Sequence, residues 1–321
     1  LATRTDAFAG AFFERTLVLI LSIGEILFDM FPEGRRLGGA AFNFAYHIHR
    51  LDGPVRFLSR IGQDPEGQAI LDFLADRQFP PDDLQRDPDH PTGRVLVTLD
   101  AGGGAQFDIL PGVAYDFLTA TPSIERFVKD DCDLIYFGSL IQRTAQGAQT
   151  VRRILGLRSS RTKCLCDINL RPGCYTADSL TYSLREADVL KINDEELSTL
   201  ASIHAIRGDT TQTVAALMAR FDIEMVALTR AEHGSSLFAE GERYDIAPER
   251  GLRIKDTVGA GDAFAAMLAI GYVRRWPPER ILKSASRLAS QVCGITGAIP
   301  STPLFYDRIR ELLTDGGDHG E

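Results

Sequence analysis

Two common nucleotide signatures are missing from this sequence. No Gly-x-x-x-x-Gly-Lys-Ser/Thr occurs, which argues against a Walker-type phosphate loop. No Gly-x-Gly-x-x-Gly follows the first apolar strand, which argues against a standard dinucleotide fold. Positive charge is also scarce: 35 Lys and Arg stand against 44 Asp and Glu, for a formal net charge of -9. Nucleic acid and anionic membranes both need a basic field, so neither is an expected partner, whereas a phosphate site needs only a few local donors. Cysteine is sparse and odd in number, at five. Cys164 and Cys166 lie two apart in an apolar stretch, so on a strand they share a face. That spacing is neither a zinc knuckle nor a Cys-x-x-Cys pair, and buried reduced thiols in a cytoplasmic protein are the expectation. The longest apolar stretch, Leu17 to Phe31, is too short to span a bilayer, is broken by Glu25 and Asp29, and lacks a well-placed cleavage site.

The remaining composition, 44% hydrophobic and 25% charged over 321 residues, is that of a globular protein with ample material for a deep core. The chain begins at Leu1 rather than Met; residues 1–15 are set aside as a tail expected to be disordered or trimmed. A single domain over 16–314 and a C-terminal tail at 315–321 complete the expected organisation. Short apolar, β-branched runs recur at Leu17–Ile23, Val55–Ile61, Asp133–Phe137, Cys164–Ile168, Ala187–Ile192 and Met225–Thr229. Helical patterns lie between most of them, at Ala40–Leu51, Gly67–Arg77, Ala145–Leu157, Gln212–Phe221 and Ala260–Val273. Continuous apolar strands alternating with amphipathic helices predict an α/β fold with a mainly parallel sheet covered on both faces. One region breaks the rhythm: Thr92–Asp100 alternates, and after Gly102-Gly103-Gly104 a second extended run spans Gln106–Leu110. This pattern predicts a β-hairpin turning at the glycines; no helix follows them to make a phosphate loop. With the extended stretch Met30–Leu37 it is expected to form a lid, from about 30–37 and 92–112.

The segment Asp256-Thr-Val-Gly-Ala-Gly-Asp262 immediately precedes the apolar run Ala263–Val273. Small residues at a helix start leave backbone N–H groups free to face an anion, and the helix dipole favours negative charge there. A phosphoryl group in transit is such an anion, and Asp262 in the first turn can accept a proton from a substrate hydroxyl. The same helix end is expected to lower the Asp262 pKa, making it a weak base. Helix capping alone explains Asp256-Thr257, but capping needs neither two glycines nor the second aspartate.

That unit matches the C-terminal signature of the ribokinase-like (PfkB) carbohydrate kinases, and Gly38-Gly39-Ala-Ala-Phe-Asn43 matches their N-terminal one. The resemblance continues through Gly24–Asp29, Asp167–Arg171, Asn193–Glu196, Thr229–Gly234 and Gly297–Pro300, covering about residues 16–314. It implies a three-layer αβα sandwich with a small β-sheet lid, and ATP, Mg2+ and a sugar as ligands. Residue by residue, it implies that Asp29, Gly39 and Asn43 bind sugar hydroxyls. Gly259, Ala260 and Gly261 would form the anion hole and Asp262 the catalytic base. Asn193, Thr229 and Gly234, with Gly261, would border ATP, while Glu196 would reach Mg2+ indirectly. A monovalent cation such as K+ is implied for several members, with Asp256 and Ser301 as candidate ligands. Arg171 is open between a phosphate or acidic substrate group and a structural ion pair. Two departures stand out: Ala231 where many relatives carry Gly, and Phe42, which is expected to make the sugar pocket narrower or more apolar.

The pattern is most similar to fructokinases, including the Pro91-Thr92-Gly93 approach to the lid. After the lid hairpin, Phe107–Gly112 lacks a basic residue, which favours a neutral sugar over the acid taken by 2-keto-3-deoxygluconate-type kinases. Arg35 and Arg36 keep that acidic alternative open, and ribokinase is a further one. A non-catalytic sugar- or nucleotide-binding protein is the alternative of another class, although binding alone needs neither the base nor the anion-hole glycines. By analogy, the alternation of Val95, Val97 and Leu99 would suit a homodimer paired through the lid. His47 and His49 point to different faces of a helix and cannot share a metal, and Trp276 is expected to pack at a helix end.

Overall fold

Alternation along the apolar strands sorts their side chains onto the two faces of one sheet. In the computed structural model, which describes residues 18–314 apart from 52, 100–104, 250 and 252, the strands run in chain order as follows. They are β1 (Ile20–Ile23), β2 (Leu27–Phe31), β3 (Gly34–Gly38), β4 (Val55–Gly62), β5 (Leu84–Asp87), β6 (Gly93–Leu99) and β7 (Ala105–Ile109). Then come β8 (Leu134–Gly138), β9 (Lys163–Asp167), β10 (Val189–Asn193), β11 (Met225–Thr229), β12 (Ser235–Ala239) and β13 (Glu242–Ile246). The large sheet has the order β13-β12-β11-β10-β9-β8-β1-β4-β5. It is parallel from β11 to β5, and only β12 and β13 run antiparallel at one edge.

The helices are α1 (Ala40–Leu51), α2 (Pro65–Asp76), α3 (Pro122–Asp130), α4 (Ala145–Gly156) and α5 (Ala177–Glu186), then α6 (Asp194–Ile203), α7 (Thr210–Phe221), α8 (Ala260–Val273), α9 (Pro278–Cys293) and α10 (Leu304–Thr314). Ile20, Leu134, Tyr136, Leu165 and Val189 face one core, closed by α1, α2, α8, α9 and α10. Leu21, Ile135, Phe137, Cys164, Cys166 and Leu190 face the other, closed by α3 to α7. The expected sandwich is therefore present, and Cys164 and Cys166 share one buried face as free thiols. Burying each large apolar side chain contributes about 1.5–3 kcal/mol. Helix α8 is apolar all round and buried from Asp262 to Gly271, as befits a helix wedged between sheet and α9.

A separate four-stranded sheet, β3-β2-β6-β7, is built from the segments expected to form the lid. Its base is fixed by Asp64, whose carboxylate accepts from Thr92 N at 2.8 Å and from Thr92 Oγ1 at 2.6 Å while also capping α2 through Gly67 N. Strands β6 and β7 pair antiparallel as expected; the Gly102–Gly104 turn and the two tails lie outside the described residues. Val95 and Val97 are buried within the chain and Leu96 is the exposed one, so the alternation expected to offer a pairing face turns inward at these two positions. His47 is buried and bonded to Tyr306, Trp276 packs against Gly271 at the end of α8, and neither enters the site. No helix among the described residues is long and apolar enough to cross a membrane.

Candidate active site

Strands β1, β8, β9 and β10 are mutually parallel or linked through parallel neighbours, so their carboxyl ends open at one edge of the sheet. Open α/β sheets bind ligands at that edge. Here a cavity of about 700 Å3 lies between the strand ends, the lid and the starts of α1 and α8. It gathers Asp29, Gly39, Asn43, Arg171, Gly259, Gly261 and Asp262 from positions scattered across the chain. Ala260, Asn193, Thr229, Gly234, Glu196, Asp256 and Ser301 do not line it.

The start of α8 is built for an anion. Gly259 is its N-cap at φ 79°, and a Cβ there would come within 2.2 Å of Ala298 Cβ, so only glycine fits. No side chain caps the helix; Ala260 N–H donates to the Thr257 carbonyl at 3.3 Å, which leaves the N–H groups of Gly261 and Asp262, two lining residues, for an anion. Asp262 follows, buried, and accepts a hydrogen bond from Asn43 Nδ2 at 2.7 Å. Its pKa is the main correction to the sequence reading. Instead of being lowered by the helix end, it is pushed up to about 7, chiefly by burial and then by the charge of Asp167. The Asn43 bond and Lys191 pull it down but do not win.

Lys191 and Asp167 were not singled out as site residues in the sequence. They are register partners on β10 and β9, and Lys191 Nζ bonds Asp167 Oδ1 at 2.8 Å, with both side chains buried. Burial works against the Lys191 charge, yet Asp167 and Glu196 hold its pKa above the usual value. A Cβ on Gly261 would sit 3.1 Å from Lys191 Nζ, so the ammonium lies directly beneath the backbone at the start of α8. A lysine inside the apolar run Val189–Asn193 is the signal that marks it in the sequence. Tyr136 completes this layer, donating its hydroxyl to Asp167 Oδ2 at 3.3 Å.

On the lid side, Asp29 projects from β2, and burial raises its carboxyl to about 6 despite Arg171 and Arg36. Asn43, on the first turn of α1, keeps Oδ1 buried without a partner, an acceptor available to a substrate hydroxyl. Gly39 takes φ 109° and a Cβ would come within 2.6 Å of the Glu25 carbonyl, so backbone packing demands this glycine as well. Glu25 also lines the cavity; its Oε1 accepts from Ala40 N at 2.9 Å, and burial raises its pKa. Phe42 does not narrow the pocket. It points away from Asn43 into the core, against Tyr46, Phe57, Phe73 and Phe79. Arg171 is exposed, lines the cavity and forms no ion pair among the described residues. Arg35 and Arg36 do not line it: Arg35 pairs with Glu66 and Arg36 with Glu33 and Asp256.

The remaining site candidates have local structural duties. Asn193 caps α6, its Oδ1 accepting from Glu196 N, while Glu196 Oε2 accepts from Asn193 N and Oε1 from Leu170 N. Both Glu196 oxygens thus accept a backbone N–H, an arrangement compatible with a water-mediated approach to Mg2+. No group of three or more His, Cys, Asp or Glu among the described residues is arranged to hold a metal. Thr229 ends β11 opposite Asn193, along the same strand-end edge as the cavity. Gly234 is required because a Cβ would meet the Ile246 carbonyl at 2.1 Å, and Ala231 adopts φ 45°. Asp256 accepts from Val258 N, Gly297 N and Arg36, whereas the carbonyl of exposed Ser301 accepts from Arg77. The contacts among the described residues do not join these two as one cation site.

A parallel sheet with helices on both faces, a β-sheet lid, and an uncapped helix start beside a buried aspartate together define the ribokinase-like class of α/β phosphotransferases. The pattern of the pfkB family carbohydrate kinases matches residues 33–304, and the chain belongs to that family. A fructokinase from Klebsiella pneumoniae is 28% identical over 306 residues, covering 90% of this chain and 98% of the relative. A fructokinase from Xylella fastidiosa solved with bound ATP superposes with a TM-score of 0.79 at 22% identity, covering 94% of this chain and 99% of that one. A double-mutant fructokinase from Vibrio cholerae O395, solved with fructose, ADP and potassium ion, gives 0.73 at 20% identity over 91% of this chain and 98% of that one.

Proposed function

We propose that this carbohydrate kinase moves the γ-phosphoryl group of ATP to a hydroxyl of a neutral, fructose-like sugar. The observation that carries the reading is the buried Asp262 carboxylate, held by Asn43 next to an uncapped helix start and facing the same cavity as Asp29. A pKa near 7 suits a general base working at neutral pH. Asp29 and the free Asn43 Oδ1 accept hydrogen bonds from sugar hydroxyls and fix which one meets Asp262. As the sugar oxygen bonds to the γ-phosphorus and the bond to the β–γ bridging oxygen breaks, Asp262 takes the hydroxyl proton and ADP leaves. The N–H groups of Gly259 and Gly261, backed by Lys191, stabilise the equatorial oxygens. Mg2+ bound with ATP would supply further neutralisation of the phosphates, with Glu196 holding a water of its shell.

Charge in the cavity supports a neutral acceptor. Its lining carries Glu25, Asp29, Asp108, Asp167 and Asp262 against Arg171 and Lys191, and Lys191 is committed to Asp167. Among the described lining residues, only Arg171 remains to meet a sugar acid. Sugar-dependent ADP release with a panel of hexoses, pentoses and sugar acids tests the reading. Fructose or a close neutral sugar is expected to be turned over. Preference for a sugar acid, lost in Arg171→Ala, would shift the assignment to acidic substrates; sugar-dependent thermal stabilisation with no ADP release at all would mark a binding protein.

A further inference from the structure

Arg36 reaches Asp256, one of the two residues expected to hold a monovalent cation. Strand β3 sets it opposite Asp29, and its Nη1 reaches Asp256 Oδ2 at 3.4 Å. Asp256 also accepts from Val258 N through Oδ1 and from Gly297 N through Oδ2, both at 3.0 Å. Lys255 N and Asp256 N donate to the Cys293 carbonyl. This carboxylate therefore ties the loop before α8 to the loop after α9, and through it positions Gly259. Arg36 is itself steadied, with its guanidinium 4.3 Å from the Phe31 ring centre and 3.4 Å from Glu33. Three donors already share the Asp256 carboxylate, and a K+ or Na+ ion seated on it would meet the full positive charge of Arg36 beside it.

We infer that Arg36 is a positioning residue that serves as a built-in cation for the anion-hole loop, so that this kinase does not depend on a monovalent cation. The inference rests on the reading of Gly259–Gly261 as the anion hole. A guanidinium is always charged and keeps its donors in a fixed plane, which suits it to a permanent structural role. Because it sits on the lid opposite Asp29, it links the sugar side of the cavity to the phosphoryl side.

The test compares the wild type, Arg36→Met and Arg36→Lys in K+ and in tetramethylammonium, which is too bulky to coordinate. Thermal unfolding without nucleotide is read alongside sugar-dependent ADP release. For the wild type, exchanging the cations is expected to leave Tm in place and to change kcat by less than roughly twofold. Arg36→Met in tetramethylammonium is expected to lose roughly tenfold or more in kcat. K+ should restore it and raise its Tm, while Arg36→Lys stays independent of K+. A wild type whose Tm or kcat rises with K+ overturns the inference. So does an Arg36→Met variant that equals the wild type in tetramethylammonium, or one that K+ fails to rescue. Should no sugar be phosphorylated, the functional reading fails on its own, and the Tm comparison still decides whether K+ is excluded from Asp256.

Discussion

Replacing Asp262 with Asn should make this protein more stable at alkaline pH while removing most of its activity. The folded-state pKa of Asp262 is raised from 3.8 to about 7. A raised carboxylate contributes stability that is fully present below its ordinary pKa and is lost as pH rises through the folded value. The loss therefore accumulates between about pH 4 and pH 7. Roughly three units at about 1.4 kcal/mol each set a ceiling on the order of 4 kcal/mol above pH 7. The substituted carboxamide keeps an oxygen for the Asn43 amide and has no charge to bury. Asp262→Asn should therefore recover much of that amount at pH 8 and little at pH 4. Urea unfolding followed through the single tryptophan, Trp276, measures the difference at each pH. Turnover should fall by about 10²–10⁴-fold, the usual contribution of a positioned base, with ATP affinity little changed. A variant less stable than the wild type at pH 8, or one with near-normal turnover, would refute the argument.

Two other substitutions probe the supports of this carboxylate. Gly259→Ala forces φ 79° and a 2.2 Å approach to Ala298, so it should cost about 2–4 kcal/mol in urea unfolding; kcat should fall with it, and an unchanged kcat would remove the loop from the anion hole. Lys191→Met leaves Asp167 buried and unpaired, which should cost about 3–5 kcal/mol. It also removes a cation that lowers the Asp262 pKa, so the acidic limb of kcat/KM should move to higher pH; an unmoved limb would separate Lys191 from the base.

Most of the frame was legible because it rests on local pattern. The six apolar runs became β1, β4, β8, β9, β10 and β11, and the five helical patterns became α1, α2, α4, α7 and α8. The segment Asp256–Asp262 could be placed at a helix start because glycine demand and helix onset coincide within seven residues of sequence. What escaped depends on contacts far apart in the chain. Lys191 and Asp167 meet only through the parallel register of β10 and β9. The direction of the Asp262 pKa was misjudged because the helix end is visible in sequence, whereas burial beneath the lid and the charge of Asp167 are not. Phe42 shows the same limit: adjacency to Asn43 suggested a pocket wall, yet successive helix positions point about 100° apart and Phe42 falls to the core. Arg36 kept the acidic-sugar alternative open in the sequence because its partner, Asp256, lies 220 residues away.

Whether Asp262 is a buried base titrating near neutrality is decided by its own protonation. The carboxyl of Asp262 can be followed by 13C NMR from pH 5 to 9, with Asp262→Asn assigning the signal, beside kcat/KM for sugar phosphorylation over the same range. One titration near 7 is expected in both records, activity falling as the carboxylate takes up its proton. A carboxyl that shows no titration across this range while activity holds down to pH 5 would contradict this.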